Sequence, residues 1–167
     1  MNLHEECDFA LIEAGISKPG EMDNLAQMIQ PDYGILTSLK LSHKDHFSSL
    51  DEMIQEQIKL FKHVKQTIIS STIQLSSSDL SDINASKIVD CDFSDELLQF
   101  PFSDKGSIQS GILAMATARF FSCLDIEAIK CLPRLALRLE TFEGIDNSLI
   151  INDTYNLDLE ALVYSLE

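Results

Sequence analysis

Glu13 and His43 are the residues of this chain whose type and spacing first point to chemistry. Glu13 closes an apolar run, Phe9-Ala10-Leu11-Ile12, which is bounded by Asp8 and followed closely by Gly15. Such a short apolar stretch between turn signals predicts a buried strand of an α/β sheet. A carboxylate just past the strand then sits at the carboxyl edge, where open α/β sheets bind their ligands. Pro19-Gly20-Glu21 opens a helical pattern of Met22, Leu25, Met28 and Ile29, closed by Pro31. A second short strand, Tyr33 to Leu36, leads into a polar loop carrying His43 and His46. Strand, helix, strand delivers Glu13 and His43 to one edge, a carboxylate and an imidazole that together make a candidate metal site. Each residue also has a plainer reading. Glu13 serves as well as a helix cap or a lysine partner, and both histidines as solvated loop residues.

Further elements must hold that edge in place. Residues 48–65 carry the clearest helical pattern, started by a Ser49/Glu52 capping box. Leu50, Met53, Ile54, Gln57, Ile58 and Phe61 fall on one face, so one amide, Gln57, points toward the sheet and needs partners there. Thr67 to Ile73 is a β-branched run and predicts the next parallel strand. Ser76 to Asn84 is a polar connector with one helical turn started by Ser78 or Asp79. The runs 87–93 and 97–102 predict edge strands, with Pro101 in the second. Asp104 caps a helix from Ser107 to Ser122 with Ile108, Ile112, Met115, Ala116 and Phe120 inward, and a short helix from Ile126 to Leu132 ends at Pro133. After the turn Glu143-Gly144, a strand at Leu149 to Ile151 delivers the loop Asn152 to Asn156, and 158–167 begins a helix.

Composition removes some function classes. Twelve Lys+Arg against 27 Asp+Glu leave a formal charge of −15, which argues against nucleic acid and anionic membrane surfaces as partners. The plain reading of that charge is a solubilising surface. Cys7, Cys91, Cys123 and Cys131 form no Cys-x-x-Cys pair and read as reduced, buried cytoplasmic thiols. No apolar run reaches the roughly 18 residues of a membrane span. The first six residues have neither the basic region nor the apolar core of a signal peptide, so a cytoplasmic protein is expected.

Glu13-Ala14-Gly15, Pro19-Gly20-Glu21, Pro31-Asp32, Thr37, and His43 with Phe47 four residues on, taken in order, resemble the central domain of the Mur ligases. Within that family they are most similar to the branch that adds D-alanyl-D-alanine to the UDP-muramoyl tripeptide, in the form fused to an alanine racemase. The resemblance implies an α/β fold: an incomplete central domain, mostly parallel sheet flanked by helices, plus the first strand and helix of the C-terminal domain. It places a partial ATPase-type domain at 1–137 and the start of the next at 138–167, with the crossing at Arg138-Leu139-Glu140. It implies ATP and magnesium as cofactors, with Glu13 and His43 addressing the metal. Ser110, Arg138, Asp153, Tyr155 and Asn156 would face the nucleotide and substrate cleft. UDP-muramoyl peptide and D-alanyl-D-alanine would be the substrates, joined through an acyl phosphate during peptidoglycan synthesis.

Three departures bear on activity. Gln57 stands where the family has an inward lysine whose carbamylated side chain helps hold magnesium, and Ser110 stands where the family has an asparagine near the adenine. No G-x-x-x-x-G-K-[ST] phosphate loop occurs in the 167 residues, which contain six glycines. The expectation is a chain not competent alone. The alternative is a non-catalytic truncated remnant, or a docking subunit that needs a partner supplying the phosphate loop and covering an exposed sheet edge. For Asp153, Tyr155 and Asn156 the plainer reading is ordinary turn residues, and for Arg138 a pair with Glu140 on an exposed strand.

Overall fold

The β-branched run around Ile68 and Ile69 is the middle of a three-stranded parallel sheet. The computed structural model describes residues 7–39, 46–70, 73–83, 100–102, 104–133 and 138–155, and the backbone of 85–89. It divides into two compact units, Met1–Asp90 and Cys91–Glu167.

In the first unit the order is α1 (Glu21–Ile29), β1 (Tyr33–Leu36), α2 (Leu50–Ile58), a single 3₁₀ turn (Lys59–Phe61), β2 (Gln66–Ser70), α3 (Ser77–Asp82) and β3 (Ala85–Val89). β1 and β3 flank β2, both parallel to it, with Tyr33 opposite Gln66 and Leu36 opposite Ile69. A register shift between Thr67 and Ile68 breaks the ladder to β3. Leu36, Ile58, Phe61, Val64, Ile69 and Ile83 form the core between sheet and helices. The ring of Phe61 lies so close over Gly34 that a Cβ there would overlap it, so β1 needs glycine at that point.

The predicted helix–strand–helix–strand course from Pro19 to Ser70 is present, and several details around it are corrected. Phe9 to Ile12 is not a buried strand: among the described residues it joins no sheet, and Phe9 and Leu11 are 62% and 90% exposed. An apolar run becomes a strand only when a neighbour takes its backbone groups, and no described strand pairs with this one. The helix predicted over 48–65 is α-helical only to Ile58 and tightens to 3₁₀ before Phe61. Met53, Ile58 and Phe61 of its expected inward face are buried, but Leu50 is half exposed and Glu56, outside that face, is 4% exposed. Ser49 does accept from the Glu52 amide, but the Glu52 carboxylate reaches Ser48 rather than Ser49. The reciprocal capping box falls instead at Ser76 and Asp79, so this helix is capped two or three residues before the predicted start at Ser78 or Asp79.

The second unit holds α4 (Lys105–Phe120), α5 (Ile126–Lys130), and a hairpin of β4 (Glu140–Glu143) and β5 (Leu149–Asn152). Asp104 caps α4 through the Ser107 amide, as its spacing predicts. Met115 and Ile129 join the two helices with Phe100, Ile112, Leu124 and Ile126 around them. Leu113, absent from the predicted inward set, is buried. Residues 100–102 carry no strand, and 90–99 and 158–167 lie outside the described residues. Cys7, Cys123 and Cys131 are exposed, not buried, because each falls outside the helix faces that pack; Cys91 lies outside the described residues. Among the described residues no helix is long and apolar enough to cross a membrane.

Candidate functional site

The segment after Glu13 is anchored by two carboxylates. α1 begins at Gly20, whose φ of 84° suits glycine and whose missing side chain leaves the first amides of the helix uncapped. Glu56 supplies the acceptor from α2: its Oε1 takes the amides of Gly20 at 2.9 Å and Met22 at 3.0 Å. Its Oε2 meets Lys59 at 2.8 Å, and Lys59 also reaches Asp23 at 2.8 Å. Hydrogen bonds to Asp23 and then Glu56 raise the lysine above its ordinary range. Glu21 in turn accepts the amides of Ser17 and Lys18. The result ties the Glu13-bearing segment to the helix that carries Gln57. Sequence reasoning missed Glu56. The available signal was an uncapped Gly20 helix start, which requires an acceptor from elsewhere in the fold.

Glu13 is exposed on an extended stretch. His43 lies outside the described residues, so the predicted Glu13–His43 pair rests on one placed member. Among the described residues no three His, Cys, Asp or Glu side chains converge as a metal cage would. Gln57 is half-buried on α2, next to the buried Glu56. His46 is exposed.

The hairpin brings three other predicted residues together. The Arg138 guanidinium lies over the Tyr155 ring, 4.3 Å from its centroid, a close cation–π stack. Asp153 Oδ1 accepts the Leu139 amide at 3.4 Å, and Leu139 itself has a left-handed φ of 47°. Arg138, Leu139, Asp153 and Tyr155 therefore close the open end of the β4–β5 ladder, where Glu140 faces Asn152. Arg138 and Tyr155 are both exposed and present a flat, cationic and aromatic face. Such a face recognises planar or anionic groups. Ser110 is exposed on α4, and Asn156 lies outside the described residues.

Comparison with known proteins gives this arrangement a context. The model of the Mur ligase middle domain matches residues 1–99. The UDP-N-acetylmuramoyl-tripeptide--D-alanyl-D-alanine ligase of Bacillus subtilis (strain 168) is 22% identical over 178 residues, covering 91% of this chain and 39% of its own. The enzyme of the same name from Buchnera aphidicola subsp. Acyrthosiphon pisum (strain APS) is 23% identical over 205 residues, covering 100% of this chain and 44% of its own. A crystal structure of MurF from Acinetobacter baumannii superposes with a TM-score of 0.79 at 17% identity, over 97% of this chain and 42% of that one. At that identity the likeness concerns the fold. The chain spans roughly two fifths of the length of these relatives, between 39% and 44%.

Proposed function

Because this chain belongs to the Mur ligase family, we propose that it is part of an ATP-dependent peptide ligase that adds D-alanyl-D-alanine to the UDP-muramoyl tripeptide in peptidoglycan synthesis. The match of the family's middle domain to residues 1–99 carries this proposal. In it, Glu13 and His43 address magnesium, and Ser110, Arg138, Asp153, Tyr155 and Asn156 face nucleotide and substrate. Magnesium, when bound, would neutralise phosphate charge. Magnesium takes about six oxygen ligands, several of them water, and Glu13 is the one described carboxylate that this scheme gives it. The role of the chain's own residues is positional. Glu56 holds the segment following Glu13 against α2, and Asp153 closes the hairpin from which Arg138 and Tyr155 present their stacked face.

A second reading is a non-catalytic remnant or docking subunit that works only with a partner supplying a phosphate loop. Gln57 in place of the carbamylated lysine favours it. Calorimetric titration of ATP with magnesium into the purified chain separates the two. Weak, saturable, magnesium-dependent heat that fades in Arg138→Ala supports a ligase part with retained nucleotide contacts. No heat at millimolar ATP sinks it and leaves the remnant.

A further inference from the structure

A cleft of about 540 Å³ opens in the first unit, with Asp23 and Lys59 of the Glu56 network on its walls. One wall is a single face of α1, with Asp23, Ala26, Gln27 and Gln30 at helical spacing. The opposite wall is the stretch Lys59 to Lys65, which crosses from the 3₁₀ turn to the start of β2. Asp32 precedes β1 and Lys65 precedes β2, so the cleft lies at the amino edge of the parallel sheet. Nucleotides in open α/β sheets sit at the other, carboxyl edge.

The charge on this wall is unlike the rest of the chain. Lys59, Lys62, His63 and Lys65 fall within seven residues that contain no acid, in a sequence with 12 Lys+Arg and a formal charge of −15. Two of the lysines have partners: Lys59 bonds Asp23 and Glu56, and Lys65 bonds Asp32 at 2.7 Å. Lys62 and His63 are exposed and make no ion pair to a described carboxylate. The Lys65–Asp32 pair is about 70% exposed on both sides, and such surface pairs are worth little, so Lys65 can turn to a better anion. Beneath these cations the cleft is apolar, with Ala26, Pro31, Leu60 and the buried Val64.

We propose that this cleft binds a small phosphomonoester with an apolar body. The phosphate would be held by Lys62 and His63 with Lys65 recruited, and the body would lie on Ala26, Pro31 and Leu60. A phosphomonoester carries a charge of about −1.5 to −2 at neutral pH, which suits several cations better than a single carboxylate does. The size fits, since small-molecule sites range over roughly 300–1,000 Å³. Asp23 and Asp32 also line the cleft, each paired with a lysine of the wall, while carboxylates beyond about 8 Å are screened at physiological salt. The site stands independently of the ligase proposal, since it uses none of the residues assigned there.

The test follows backbone amide shifts by NMR in the full chain at physiological salt, with phenyl phosphate, inorganic phosphate and phenol as probes. Phenyl phosphate should shift Gln27, Gln30, Lys62 and His63 saturably. Inorganic phosphate should shift Lys62 and His63 more weakly, and phenol should leave the cationic wall unmoved. Lys62→Gln, an exposed change, should weaken phenyl phosphate about fivefold, as the loss of one contact charge in water predicts. Lys105→Gln, on α4, should leave affinity unchanged. The proposal fails if no saturable shift occurs at these amides, if phenol matches phenyl phosphate, or if Lys105→Gln weakens binding as much as Lys62→Gln.

Discussion

At the scale of single residues, burial of polar atoms decides more than residue type. Thr67 is fully buried, and its hydroxyl oxygen has no hydrogen-bond partner among the described residues. An orphaned buried hydroxyl costs stability, so Thr67→Val should raise the urea midpoint, by up to about 1 kcal/mol. Loss of stability on this change would show that the hydroxyl is satisfied. Glu56 presents the opposite case, a buried carboxylate with two amides and a lysine around it. Glu56→Ala leaves the α1 amides and Lys59 without that acceptor and should cost about 3 kcal/mol in denaturant unfolding. The raised value of Lys59 sets the sign of the alkaline effect. Its contribution is fully present below the ordinary 10.5 and is lost as pH climbs through the raised value, so stability should fall above pH 10.5 and fall less in Glu56→Ala. Little of this was legible in the sequence. Gln57 is the polar residue on the apolar face of the sequence pattern, while the neighbouring Glu56 is the buried one. One residue is about 100° of helix, and only packing fixes that rotation.

At the scale of elements, local signals set type and packing sets extent. Asp104, Ser76 and Ser49 all cap helices through side-chain oxygens, and each lies where its spacing to the following helix predicts a start or within three residues of it. The end of α2 is different, because the turn to 3₁₀ at Lys59 drives Phe61 over Gly34. That contact yields a prediction for the β1–α2 layer. Gly34→Ala should destabilise by about 1–3 kcal/mol, since a buried ring must move. Phe61→Leu in the same chain should recover part of the loss, and a double-mutant cycle with no coupling would refute the contact. Phe9 to Ile12 shows where local signals fail. Its composition is that of a strand, but strand formation requires an edge to pair with, and that is not encoded in the run itself.

At the scale of the whole molecule, charge and fold separate cleanly. A formal −15 on 167 residues makes self-repulsion a term in stability. Raising sodium chloride from about 10 mM to about 150 mM shortens the screening length from roughly 30 Å to 8 Å and should raise the melting temperature. An unchanged melting temperature would mean the described ion pairs already offset the repulsion. The sequence alone determined the α/β class, the parallel pairing of the Tyr33 and Ile68 strands, the capped helices, and a family likeness carried by short motifs between Glu13 and Phe47. These follow from periodicity, caps and turn chemistry, which act over a few residues. Tertiary structure alone decided that Glu56 anchors α1, that Arg138 stacks on Tyr155, that Cys7, Cys123 and Cys131 face out, and that four basic residues line one cleft. Those depend on which faces meet across tens of residues, a matter of packing that no local pattern carries.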